Sequence, residues 1–178
     1  MNINGKNDSS YRYKMEPLKS SICGKGNGMF TIINNLETVS KYINHPPSLI
    51  LKYMGVNFGS IVNDVKQTIT GSHTTEELQK CLQQYIDKFV ICPSCGIPET
   101  IPKITKLNKK NILLELQCSS CSSSNNIMHC KHNELIIKHL EKNEWNVNKG
   151  YMVVNVPDKN ISENISCENV VDDFNPFI

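Results

Sequence analysis

Alanine is missing from the sequence altogether, and arginine occurs once, as Arg12, beside eighteen lysines. Asparagine, isoleucine and lysine are plentiful instead, a bias that fits AT-rich coding and makes the scarcity of arginine less surprising. Long apolar runs are also missing. None approaches the roughly 18 residues that a bilayer-spanning helix requires, and the polar N-terminus lacks the apolar core of a secretory signal. These absences exclude a spanning segment and predict a soluble, cytoplasmic protein with no membrane partner. No serine, histidine and acid arrangement stands out, so nothing indicates triad chemistry.

What charge there is lies unevenly. Residues 1–60 hold seven basic and three acidic groups, residues 61–142 ten and eight, and residues 143–178 two and six. The front of the chain is therefore suited to an anion such as RNA, while the acidic end repels one. A length of 178 residues allows one ordinary domain or two small ones with a real core.

Periodicity organises the chain into four parts and an α+β fold class. Residues 1–20 show no sustained period and are expected to form a flexible N-terminal arm carrying Arg12. Residues 21–90 are expected to form a small α/β domain, a sheet covered by helices. Within it, a short β-prone run from Met29 to Ile33 precedes a helix bearing Leu36, Val39, Tyr42 and Ile43, which Pro46-Pro47 stops. A second short helix from Ser48 closes at Gly55, and strands are expected over Val56 to Val62 and Val65 to Thr70. Thr74 with Glu77 reads as a capping box opening a helix whose stripe is Leu78, Leu82, Tyr85, Ile86 and Phe89. That stripe should cover the sheet. Residues 91–143 hold paired cysteines and a following helix with Leu135, Ile136, His139 and Leu140. Residues 144–178 read as a flexible acidic tail.

Cys92-Pro93-Ser94-Cys95 and Cys118-Ser119-Ser120-Cys121 are two Cys-x-x-Cys pairs separated by 22 residues. Each two-residue spacer allows a knuckle that aims both sulfurs at one point, and four thiolates suit one tetrahedral zinc ion at about 2.3 Å. The segment between contains β-prone Ile101 to Thr105 and Ile112 to Leu116 around the turn-like Asn108 to Asn111, the pattern of a zinc ribbon. With four thiolates no coordination position stays open, so the zinc is expected to be structural. Redox chemistry and disulfides are the alternatives for these cysteines. Cys23, Cys81, Cys130 and Cys167 lack paired spacing.

Gly24-Lys25-Gly26-Asn27-Gly28-Met29-Phe30-Thr31 has the look of a phosphate-cradling loop but differs in detail. Such a loop opens a helix and places lysine directly before Ser or Thr, whereas here Phe30 holds that position and a strand follows. A basic glycine-rich turn entering a strand can instead bring backbone amides and Lys25 against an RNA backbone, the alternative being an ordinary flexible hairpin.

Taken in order, Tyr11-Arg12-Tyr13-Lys14-Met15, Gly24 to Gly28, Pro46-Pro47 with Lys52-Tyr53, Gly71-Ser72-His73, Lys88-Phe89-Val90 and Cys92-Pro93-Ser94-Cys95 with Pro98-Glu99-Thr100 resemble the N-terminal domain of the eukaryotic translation initiation factor 5 family. The related beta subunit of initiation factor 2 shares the α/β domain and ribbon but lacks the arm and the glycine-rich loop. The resemblance covers residues 11–143. It implies a protein that promotes GTP hydrolysis on the gamma subunit of initiation factor 2, within the complex of small ribosomal subunit, initiator tRNA and mRNA that selects the start codon. It implies Arg12 as an arginine finger and Lys52 as a second activating lysine. Lys14 and the loop residues Gly24, Lys25, Gly26, Asn27 and Gly28 are implied to lie near initiator tRNA and the ribosome. The family's lysine in the loop corresponds to Phe30, so that contact is lost, and the helical-repeat domain with which the family normally continues is not expected here. The protein so implied is a monomeric GTPase activator and not itself a GTPase. The alternative is a non-activating module that binds ribosome and initiator tRNA, resembling the beta subunit.

Overall fold

The computed structural model describes residues 1–106, 112–127 and 131–142. Four antiparallel strands, β1 (Ser20–Cys23), β2 (Phe30–Ile33), β3 (Val62–Asn63) and β4 (Thr68–Thr70), form a sheet in the order β1-β2-β4-β3. Nothing in Ser20-Ser21-Ile22-Cys23 marks β1 as a strand. It becomes one by pairing with β2 from Ser20↔Ile33 to Cys23↔Phe30. Helix α1 (Leu36–Ile43) follows β2 and ends where Asn44 turns left-handed at φ 54°, just before Pro46-Pro47.

Helix α2 (Pro47–Phe58) corrects the expectation of a short helix closed by Gly55 and followed by a strand. Pro47 opens it without loss, because the first helical N–H has no partner in any case. The helix runs through Gly55 and stops at Gly59, φ 63°, whose N–H donates to the Gly55 carbonyl. Gly55 is there for proximity: a Cβ at this position would lie 2.6 Å from Val62 Cγ1. Val56 to Phe58 are therefore helical, β3 is reduced to two residues, and Val65 is 92% exposed in the turn before β4.

Helix α3 (Thr75–Phe89) carries the expected capping box, with Glu77 N donating to Thr74 Oγ1 at 3.2 Å and Thr74 N to Glu77 Oε2 at 2.9 Å. Its buried stripe of Leu78, Cys81, Leu82, Tyr85, Ile86 and Phe89 turns mainly to α2, where the Tyr53 ring meets Tyr85 at 5.1 Å and Phe89 at 6.0 Å. A second antiparallel sheet, β5 (Thr100–Lys106), β6 (Ile112–Cys118) and β7 (Ser124–Asn126), adds one strand to the expected hairpin. Helix α4 (Lys131–Lys142) then folds back on α2, with the His132 ring 4.5 Å from that of Tyr53. Leu114 of β6 and Ile136 and Ile137 of α4 share one buried cluster with Ile33, Leu51, Leu82 and Phe89. The fold class is the expected α+β arrangement of helices, sheet and four-cysteine ribbon, but the ribbon and the α/β part close over a common core.

Residues 1–19 correct the expectation of a free arm. Asn2 bridges Lys14, Ile3 N donates to Tyr13 O at 3.1 Å, and Met15 N donates to Met1 O at 2.9 Å. Ile3, Met15 and Leu18 are buried, scattered apolar residues whose pairing is not local in sequence. From α3, Gln83 Nε2 donates to Ile3 O and Gln79 Oε1 accepts from Leu18 N. The tail expected over 144–178, the turn expected over 108–111, and Cys130 and Cys167 lie outside the described residues.

Candidate functional site

The two cysteine pairs fold into knuckles with the same backbone pattern. Cys92 O accepts from Gly96 N at 2.8 Å and Cys118 O from Ser122 N at 3.0 Å, while Cys92 N donates to Ile97 O and Cys118 N to Ser123 O. In both, the residue four beyond the first cysteine is left-handed, Gly96 at φ 72° and Ser122 at φ 58°. The equivalence brings together the four sulfurs of Cys92, Cys95, Cys118 and Cys121, all within 4.8 Å of one another. Cys92 Sγ lies 3.7 Å from Cys121 Sγ and Cys95 Sγ lies 3.7 Å from Cys118 Sγ. Sulfurs at the corners of a tetrahedron with a centre-to-sulfur distance of about 2.3 Å stand about 3.8 Å apart, so these donors fit one tetrahedral ion. At that separation the thiols are free, far beyond the disulfide bond length of about 2.05 Å.

Ser123 completes the cluster, and its role was not legible in cysteine spacing. Its hydroxyl lies 3.0 Å from Cys121 Sγ and 3.3 Å from Cys92 Sγ, and Asn125 Nδ2 donates to it at 3.2 Å. The Ser123 hydroxyl, followed by the Ser123 backbone, holds the Cys121 thiol below its usual range and so favours the thiolate a metal needs.

Arg12 lies on the stretch that hydrogen-bonds back to residues 1–3. Extended residues alternate faces, and here Tyr11 and Tyr13 are half-buried with rings 5.8 Å apart, whereas Arg12 and Lys14 are exposed. Among the described residues no carboxylate pairs with the Arg12 guanidinium. Tyr13 Oη donates to Glu99 Oε1 at 2.6 Å across 86 residues of sequence, and this bond, with burial behind it, pushes the Tyr13 phenol up to about 12. The link joins the N-terminal segment to the ribbon just beyond Cys95. Neither partner was marked by its spacing.

Lys52 projects from α2 and is paired with Asp64 at 2.7 Å. The glycine-rich loop is the turn of the β1–β2 hairpin, with Gly24 to Gly28 all exposed. Gly24 has φ 86°, and a Cβ there would come 2.3 Å from the Gly28 carbonyl oxygen, so the turn requires glycine. The loop leads into β2 by way of a three-residue 3-10 turn, and no helix follows to offer its N-terminus to a phosphate. Beyond the four cysteines, the expected site residues fall in three places: Arg12 with Lys14, the loop from Gly24 to Gly28, and Lys52 with Asp64.

Residues 4–124 match the family model described as the domain found in initiation factors 2B and 5. The chain belongs to this family. Over 118 residues the family domain here is 40% identical to eukaryotic translation initiation factor 5 of Mus musculus, which takes in 64% of this chain and 27% of that protein. It is 38% identical over 118 residues to the probable factor 5 of Schizosaccharomyces pombe, 64% of this chain and 29% of that one. It is 37% identical over 118 residues to factor 5 of Saccharomyces cerevisiae, 64% of this chain and 28% of that one. The match thus takes in under a third of each relative's length, and corresponds to the N-terminal domain of factor 5.

Proposed function

We propose that this chain is a cytoplasmic translation initiation factor that accelerates GTP hydrolysis on the gamma subunit of initiation factor 2, in the complex of small ribosomal subunit, initiator tRNA and mRNA. Arg12 is the residue delivered to the partner's nucleotide. The single observation that carries the reading is that Arg12 is exposed without a carboxylate partner among the described residues, while the tyrosines on either side turn inward. A planar, permanently charged fork supplied in trans offsets charge on the transferring phosphoryl and is worth about 10³ to 10⁵ in rate in GTPases activated this way. A docked backbone with an outward guanidinium places the donor before the reaction and leaves little to reorganise. The chain itself is not the GTPase. Its exposed hairpin turn, with Lys25, Gly26, Asn27 and Gly28, suits contact with an RNA backbone.

Cys92, Cys95, Cys118 and Cys121 hold one structural zinc in this reading, since four soft thiolates at tetrahedral spacing leave no position for a reactive water. The ion supplies folding free energy to the ribbon and no chemistry to hydrolysis.

The test is a time course of GTP hydrolysis in a reconstituted initiation complex. Arg12→Ala is expected to abolish the stimulated rate and Arg12→Lys to remove most of it, with fold and metal content unchanged. Full activity in Arg12→Ala would falsify the assignment. Binding without acceleration by the wild-type chain would favour the non-activating module, a reading supported by Phe30 at the family's lysine position and by the pairing of Lys52 with Asp64.

A further inference from the structure

Side chains from three parts of the fold fasten the N-terminal segment. Gln79 and Gln83 of α3 hold Leu18 and Ile3, Asn35 before α1 holds Pro17 and Lys19, and Glu99 of the ribbon holds Tyr13. The contact with Glu99 differs from the others in kind. At 2.6 Å the Tyr13 bond to Glu99 has the length of a hydroxyl donating to a carboxylate, about twice as strong as a neutral pair. It also acts next to Arg12, whereas the glutamine contacts lie at the segment's ends. Glu99 is itself fixed on both sides. Its carbonyl accepts from Ser119 N in the second knuckle at 2.9 Å, and the following residue, Thr100, donates from Oγ1 to Phe89 O at 2.7 Å. The chain from knuckle to arginine is therefore Ser119, Glu99, Tyr13, Arg12, with each step a hydrogen bond or a peptide bond.

We propose that Glu99 is a positioning residue for Arg12: its carboxylate fixes the Tyr13 ring inward, which turns the neighbouring guanidinium outward, and it ties that geometry to the folded cysteine ribbon. The inference rests on Arg12 acting in trans as proposed above. It makes presentation of the arginine conditional on the ribbon's metal-held fold, although the metal site takes no part in the chemistry. Positioning of this kind alters the maximal rate more than the affinity, because most of the docking surface is untouched.

Two readouts test it. The first is the exchange of the Ile3 and Met15 amides with solvent, which reports docking of the segment whether or not Arg12 acts on GTP. Tyr13→Phe and Glu99→Ala are expected to speed that exchange about 10-fold, as loss of one charge-assisted bond implies, with the α3 amides of Leu82 and Ile86 unchanged. Removing the metal with a chelator should also speed exchange of the Ile3 and Met15 amides in the wild-type chain. The second readout is stimulated hydrolysis. The same two variants should lower the maximal rate about 10-fold at an unchanged half-saturating concentration. Glu99→Gln, which keeps an acceptor oxygen, should recover most of both losses, and the double variant should be no worse than either single one. Unchanged exchange in Tyr13→Phe and Glu99→Ala overturns the proposal, as does a rate loss without an exchange change. If Arg12→Ala retains full activity the finger reading fails alone, and the exchange experiment then decides by itself whether Glu99 holds the segment to the ribbon.

Discussion

Lys52 Nζ lies 2.7 Å from Asp64 Oδ2, joining the outer face of α2 to the turn that follows β3. Both side chains are substantially exposed, at 48% and 37%, so the pair is screened and contributes below about 1 kcal/mol. Asp64→Asn should therefore shift the urea midpoint only slightly, and the difference should vanish in about 1 M salt. For hydrolysis the two partners are expected to part company. A lysine that reaches a partner's nucleotide must first leave Asp64. Lys52→Ala should then lower the stimulated rate while Asp64→Asn leaves it at or above wild type. Equal losses in the two variants would assign the effect to the ion pair and not to the lysine's reach.

Acid should weaken the core through His45. Its ring is buried, with Nδ1 2.6 Å from Tyr85 Oη, and burial, followed by the charge on His139, pushes its pKa down to about 3 from the usual 6.5. A histidine whose folded pKa is depressed contributes its full stability above the unfolded value, and loses it as pH falls from there toward the folded value. Stability should be level above about pH 7 and drop by about 2 kcal/mol between pH 6.5 and 5 from this group alone. His132 and His139 are also shifted down, chiefly by burial, and steepen the loss. Unfolding by urea at pH 7 and pH 5, on wild type and His45→Asn, measures it; an equally steep fall in the variant would assign the acid sensitivity to other groups.

The elements that were legible from sequence are those whose cause is local. The capping box of Thr74 and Glu77 and the stripe from Leu78 to Phe89 lie within one helix, and α3 formed as expected. Gly55 misled because glycine near an apolar run usually ends a helix. Here it admits Val62 from across the fold, a contact no local pattern contains. The same division holds at the site. Cys-x-x-Cys spacing picks out the four cysteines that cluster because each knuckle is a five-residue object. Ser123 reaches Cys92 across 31 residues, and Glu99 reaches Tyr13 across 86. Docking of the N-terminal segment was hidden for that reason: Ile3, Met15 and Leu18 are isolated apolar residues until the fold gathers them into the common core.

The paired knuckles permit a test of the metal site that needs no assay of function. Gly96 and Ser122 hold equivalent left-handed positions, yet only one of them is glycine. A Cβ at Gly96 would meet nothing within 4 Å, so Gly96→Ala costs only the backbone conformation, about 1 kcal/mol. Ser122 already bears that cost, and its side chain is exposed, so Ser122→Gly should relieve a similar amount. With zinc held as proposed above, metal binding and ribbon folding are one process, so each change should appear in zinc affinity as about fivefold, weaker for Gly96→Ala and tighter for Ser122→Gly. Competition with a chelator reads both, and elemental analysis should give about one zinc per chain in all three proteins. Because Leu114, Ile136 and Ile137 share the core with α2 and α3, chelation should loosen α4 as well as the ribbon and not stop at residue 91. Shifts of the same sign in the two variants would mean that the knuckles do not bear on one ion as equivalents.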